Sequence, residues 1–203
     1  MSDRRFALAS VAALGLAAVA AWGLVQGAGP AHAAEDGPGP NLVIEVAGST
    51  TGTIVIDLLP EVAPKHVEQI VALAQAGAYD GVVFHRVIDG FMAQTGDVSA
   101  GRQGADLTMA GTGGSDRPDL PAEFSSIPFE RGTVGMARAQ DPNSANSQFF
   151  MMFAPSPNLD GQYTVFGQVV QGLDVLDALK KGNSAANGKV DEPDYMAKVT
   201  VQP

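Results

Sequence analysis

Seven side chains stand out for the chemistry they could do together: Arg86, Phe91, Met92, Gln94, Gln148, Phe150 and Leu159. They supply a guanidinium, two amides and an apolar lining, with no titratable catalyst among them. Such a set can hold an apolar ring and hydrogen-bond a peptide backbone, but it is poorly equipped for general acid/base work. The four apolar members suit an ordinary core equally well. Arg86 is ambiguous in the same way, because Val82, Phe84, Arg86 and Ile88 share one face of a strand. A guanidinium in that company either snorkels to water or pairs with a carboxylate, or it is a fixed donor beside an apolar pocket.

Other chemistries find less support. The chain has no Cys, which removes disulfides, thiol catalysis and cysteine metal sites. Of three histidines, His32 falls in a segment expected to be cleaved off. His66 and His85 have no ligand spacing, so no metal is expected. His66 is expected on the exposed side of a helix, and His85 is read as structural. There is no Gly-x-Ser-x-Gly elbow. Gly111-Thr112-Gly113-Gly114 fits neither a P-loop nor a dinucleotide fingerprint. Carboxylates are plentiful, yet nothing marks a pair for glycoside hydrolysis. Acidic residues outnumber basic ones 22 to 12, a net charge of −10, and the basic residues are scattered, which argues against nucleic acid as a partner.

The elements that must position these residues can be read in order. Residues 1–33 have the form of a secretory signal peptide: Arg4 and Arg5, an uncharged apolar run over Phe6–Val25, then Ala31-His32-Ala33. Left uncleaved, the run could anchor the chain in a membrane. Either way the domain is expected outside the cytoplasm, periplasmic or otherwise exported. Residues 34–40 read as a Gly/Pro linker and 41–203 as one domain. Alternation over 42–47 and 53–58 predicts a hairpin. Val67, Ile70, Val71 and Ala74 predict an amphipathic helix that starts near Pro64 and ends before Gly77.

Strands are then expected over 82–87 and 91–94, turning at Asp89-Gly90, and over 132–137, 148–153, 163–169 and 195–201. The 148–153 strand is apolar on both faces. A second helix is expected over 173–180, and Tyr195, Ala197, Val199 and Val201 are expected on one face of the last strand. Many short strands, two helices and no βαβ alternation give a mainly β chain, a closed antiparallel barrel capped by helices.

Six motifs now fall in order: Phe84-His85-Arg86-Val87-Ile88-x-Gly90-Phe91-Met92-x-Gln94-x-Gly96-Asp97, Gly111-Thr112-Gly113-Gly114, Met136-Ala137-Arg138, Ser147-Gln148-Phe149-Phe150, Leu159-Asp160-Gly161 and Val165-Phe166-Gly167. Together they resemble the cyclophilin-type peptidyl-prolyl cis-trans isomerases, from about Asn41 to the C-terminus. The resemblance implies a closed eight-stranded antiparallel β-barrel capped by two α-helices. It also implies that Arg86 is the catalytic donor and that Phe91, Met92, Phe150 and Leu159 grip a proline ring. Gln94, Gln148 and the backbone near Ala137 and Arg138 would position the peptide, and Tyr163, where His is common in the family, would pack against it.

The implied partners are proline-containing peptides and folding, exported proteins, with no cofactor; a monomer is expected, with membrane contact only through an uncleaved N-terminus. The chain departs from the family at Asn158, where many eukaryotic members carry a Trp that helps bind cyclosporin, at Thr95 in place of Gly, and in a longer 98–110 segment. The competing expectation is a binding module that holds proline-containing segments, with isomerase activity incidental.

Overall fold

The computed structural model describes residues 34–203. The signal peptide or anchor expected over 1–33 lies outside them. Among the described residues no helix is long and apolar enough to cross a membrane. The strands are β1 (Asn41–Ala47), β2 (Gly52–Leu58), β3 (Val82–Val83), β4 (Arg86–Ile88), β5 (Met92–Thr95), β6 (Thr133–Met136), β7 (Phe149–Met152), β8 (Val165–Gln171) and β9 (Tyr195–Gln202). The helices are α1 (Pro64–Gln75) and α2 (Leu173–Ala178). All nine strands join one antiparallel sheet in the order β3-β9-β1-β2-β8-β6-β7-β5-β4.

There are nine strands rather than eight because the one expected over 82–87 is broken. Phe84 and His85 leave the ladder and are both buried, at 1% and 6% exposure. The two outermost strands, β3 and β4, are therefore consecutive in the chain. Loops cover the outer edge of each. Gly101 accepts from Val83 N and Gln103 donates to Gly81 O along β3, with Arg102 bridging Val82. Along β4, Val87 N donates to Gly188 O and Val87 O accepts from Gly182 N. The long 98–110 segment thus has a structural task. The Arg102 guanidinium ties it down by bonding the carbonyls of Ala78, Asp80 and Val98.

Apolar packing lies on both faces of the sheet. On β7, Phe149 and Met151 enter the main core with Leu42, Ile44, Ile56, Ile70 and Phe166, whereas Phe150 and Met152 join a second cluster with Met92, Phe129, Leu159 and Val165. Period-2 alternation makes this two-sided burial possible, as its continuous apolar sequence predicts. Register then builds a row across four strands, Arg86 opposite Gln94, Gln94 opposite Phe150, and Phe150 opposite Gly135. Gly135 is small for a reason. A Cβ there would lie 2.6 Å from Phe129 Cε1 and 2.7 Å from Phe150 Cζ, so the two stacked rings occupy its place.

Two expectations are overturned. His66 is not exposed: it has 0% exposure, and its Nδ1 lies 2.6 Å from Glu123 Oε2. The same carboxylate accepts from the Lys65 and His66 amides, so a loop residue caps the N-terminus of α1 and covers its first turn. Burial pushes the Glu123 carboxyl up, but the His66 ring and these amides outweigh it and hold the group below its ordinary value. On β9 the buried residues are Met196 and Val199, not Tyr195 and Ala197. Val46 pairs with Met196 and Glu45 with Lys198, so Ala197 is an extra, bulged residue that switches the inward face.

Two stability predictions follow from this packing. Glu123→Gln keeps the shape but loses the charge, and should cost about 1 kcal/mol at neutral pH. Because the folded carboxyl titrates below its unfolded value, that stabilisation is complete above the ordinary glutamate pKa and lost as pH falls through the folded one. Denaturant curves of parent and variant should therefore converge in acid. Gly135→Ala should lower the unfolding free energy by about 1–3 kcal/mol through overpacking, seen as a lower guanidinium midpoint at unchanged slope. An unaltered midpoint would show that the Phe129/Phe150 stack does not rest on this glycine.

Candidate active site

The β4–β5 hairpin turns through Asp89 and Gly90, whose φ of 68° suits a residue without Cβ. Its register sets Arg86 beside Gln94 and Ile88 beside Met92. Arg86 Nη1 donates to Gln94 Oε1 at 3.1 Å and lies 3.7 Å from the Met92 sulfur. From the other side, Nε donates to the Asn187 carbonyl and Nη2 to Asn187 Oδ1, each at 3.0 Å. A guanidinium has five N–H donors. One Nη2 hydrogen is left free and one Nη1 hydrogen has only a thioether. Burial pulls the Arg86 pKa below its ordinary value, yet the group remains a cation. The group is half-buried, and its partners among the described residues are amides, a carbonyl and a thioether rather than a carboxylate.

Beyond Arg86 a relay of amides fixes the site. Gln94 Nε2 donates to Gln148 Oε1 at 2.9 Å, and Gln148 Nε2 donates to Gly113 O at 2.8 Å. Each amide can point only one way, since reversal would set donor against donor. Gly113 is itself held by Asp97, a carboxylate with 0% exposure. Asp97 accepts from the amides of Ser99, Ala100, Gly111 and Gly113 and from Ser99 Oγ. The Gly111 and Gly113 amides are thus spent on the chain's own carboxylate, and that of Thr112 on the Met109 carbonyl.

The apolar side is a cavity of about 220 Å³ lined by Arg86, Phe91, Met92, Gln94, Ala137, Arg138, Phe150, Leu159 and Tyr163. Its aromatic wall is rigid. Phe150 stacks on Phe129 at 5.6 Å, and Tyr163 meets Phe150 edge-on at 5.7 Å. Tyr163 lies before β8 rather than within it, and the Arg138 guanidinium sits 4.4 Å over its ring. Arg138 is in turn held by the carbonyls of Ala139, Gln140 and Gln162. A second cavity of about 280 Å³ shares Gln94, Ala137 and Arg138 and continues along Gly111, Thr112, Gly113 and Gln148.

Every residue expected at the site therefore lines this pair of cavities. Asn187 and Phe129 were not expected. Asn187 is 101 residues from Arg86 and carries only one weak local mark, an amide residue before Gly188 with φ of 54°. Phe129 reads as any core aromatic. Asn158 instead accepts from Ser156 Oγ and lies outside the cavity lining. Among the described residues no group of three or more His, Asp or Glu could hold a metal ion.

Comparison with known proteins bears on the family. A family model for cyclophilin-type peptidyl-prolyl cis-trans isomerases matches residues 42–201. A Brucella suis protein named as a probable peptidyl-prolyl cis-trans isomerase is 60% identical over 153 residues, 74% of this chain and 78% of its own length. A cyclophilin crystal structure from Hirschia baltica superposes with a TM-score of 0.67 at 28% identity, covering 81% of this chain and 74% of that one. A cyclophilin-type isomerase from Cryptosporidium parvum, crystallised in the presence of the dipeptide Ala-Pro, shares the fold at a TM-score of 0.68 and 24% identity, covering 80% and 99%. With the motifs in order and the match spanning the whole sheet, the chain belongs to the cyclophilin-type peptidyl-prolyl cis-trans isomerases.

Proposed function

We propose that the domain accelerates rotation about Xaa-Pro peptide bonds with Arg86 as the transition-state donor. One observation carries the assignment: a guanidinium fixed on three sides keeps an N–H free at the rim of an apolar, aromatic-walled cavity. Rotation of a peptide bond meets a barrier of roughly 18–20 kcal/mol because the nitrogen lone pair is delocalised into the carbonyl. At Xaa-Pro both isomers are populated, and they exchange over tens to hundreds of seconds. Twisting the bond returns the lone pair to a pyramidal nitrogen, which can then accept a hydrogen bond.

That acceptor barely exists in the planar ground state, so a donor aimed at it binds the transition state selectively. Phe91, Met92, Phe150 and Leu159 would hold the proline ring, with Tyr163 closing the wall. Gln94, Gln148 and the Ala137–Arg138 backbone would hold the peptide along the second cavity. No covalent bond changes, so the cycle requires neither a cofactor nor proton transfer. A rate gain of about 10⁵ asks the site for about 7 kcal/mol.

Three finer points belong to the same proposal. Counting β3 and β4 as one interrupted strand gives a closed eight-stranded barrel. Residues 1–33 act as an export signal or anchor, 34–40 link it to the domain, and the natural clients are exported proteins as they fold. The domain works as a monomer. The first point is supported by the strand order and the second by the charge and hydropathy pattern of the N-terminus.

Exchange NMR on an Ala-Pro peptide tests the role of Arg86. Arg86→Ala should slow catalysed exchange by about 10²–10³-fold, the usual cost of one transition-state donor, while peptide affinity changes little. Large loss of affinity with unchanged turnover of bound peptide would sink the assignment, and binding without acceleration in the parent would favour the binding module. Asn187→Gly keeps the left-handed backbone but removes the Nη2 acceptor. It should slow exchange about tenfold, since a hydrogen bond to a charged group is worth about 1.5 kcal/mol, with affinity unchanged.

A further inference from the structure

A third cavity, of about 210 Å³, also opens against Arg86 and Gln94. His85, Thr112, Asn187 and Lys189 wall it, and no carboxylate lines it. His85 forms part of the floor: 6% exposed, with neither ring nitrogen hydrogen-bonded and its Cδ2–Nε2 edge toward Gly111. Burial draws its pKa down to about 4, against the pull of Asp97, so the ring is neutral at physiological pH, and with both nitrogens shut from solvent it adds no charge to the cavity. Asn187, also in the lining, accepts from Arg86 through its amide oxygen.

Lys189 completes the wall, and its main chain is fixed. Its N donates to Ala186 O, its O accepts from Asn183 N, and it bridges to Arg86. Its ammonium forms no ion pair among the described residues. Two acidic groups of this region, Asp106 and Asp97, hold other donors. Asp106 feels the Lys189 charge but accepts from Thr108 N and Oγ1, and Asp97 behind His85 is saturated by its own loop. Two residues with cationic side chains, Arg86 and Lys189, and the amide residue Asn187 thus line one small space that shares Arg86 and Gln94 with the proposed peptide groove.

We propose that this cavity is a subsite for an acidic side chain of the client, carried by a residue flanking the proline, and that Lys189 sets the preference. The proposal rests on the isomerase reading of the adjoining groove. It also answers a difficulty of the whole molecule. A chain of net charge −10 repels acidic segments, and at physiological salt fields fade over about 8 Å. A cation at the groove wall is therefore the means by which an acidic client can be retained locally.

The test uses NMR titration and exchange on Ala-Pro peptides carrying Glu or Gln at each of the two positions before and after the dipeptide. The parent should bind Glu about fivefold more tightly than Gln at one flank, near the upper end for an exposed ion pair. Lys189→Gln should abolish that preference and leave the all-neutral peptide unaffected in both affinity and exchange. Lys65→Gln removes the same charge from α1, remote in sequence from the cavity, and should keep the preference. The proposal is overturned if Glu is no better than Gln at every position, if the preference survives in Lys189→Gln, or if Lys65→Gln erases it equally. Absence of accelerated exchange in the parent would overturn the isomerase reading instead, while the titration still decides the subsite.

Discussion

The carboxylate of Asp97 is shut away from water, and the geometry of the site is anchored on it. Burial alone would push its pKa up, but the amides of Ala100, Gly113 and Gly111 and the Ser99 hydroxyl outweigh that effect and keep it ionised. A charge so placed leaves the Gly-rich loop a single path, because several kcal/mol of desolvation are offset only while all its donors converge. The path fixes the Gly113 carbonyl, which orients Gln148, which orients Gln94, which receives Arg86. An ion 11 residues from Arg86 in sequence thereby reaches the guanidinium through two amides. Preorganisation of this kind matters where catalysis consists of stabilising the twisted bond of a transition state and nothing covalent occurs.

Apolar packing supplies the other half of the rigidity. The 220 Å³ cavity beside Arg86 is the mouth of the second apolar cluster, whose residues alternate on the strands with those of the main core. Phe150 is held from behind by Phe129, and Phe129 fits because Gly135 has no side chain. The wall of the pocket is therefore as dense as a protein interior and cannot adapt by collapsing. Arg138 and Tyr163 extend the same principle to the rim, where a cation stacked on a ring is fastened by backbone carbonyls.

Much of this was legible in sequence wherever the signal was local. The Asp-Gly turn, the period-2 alternation of β1, β2 and β7 and the boundaries of α1 follow from short-range sterics, and the ordered motifs brought the site residues with them. What escaped was set by distant contacts. His66 is buried because Glu123, 57 residues on, covers the first turn of α1. The inward face of β9 changes at Ala197 because of a bulge that no alternation pattern announces. The strand through Phe84 and His85 breaks where the sheet changes neighbours, and Asn187 joins the site across 101 residues. Each is a pairing between segments whose own sequences are unremarkable.

The roofing of β3 and β4 has a consequence for how the domain can associate with other chains. A bare sheet edge is a template on which an extended segment can add as another strand, the first step of aggregation. Here the outer hydrogen-bonding groups of both terminal strands are occupied by the chain's own loops at Gly101–Gln103 and at Gly182 and Gly188. Strand addition is thereby blocked at both ends of the sheet, and the surface left open to an extended segment is the set of cavities around Arg86 rather than an edge.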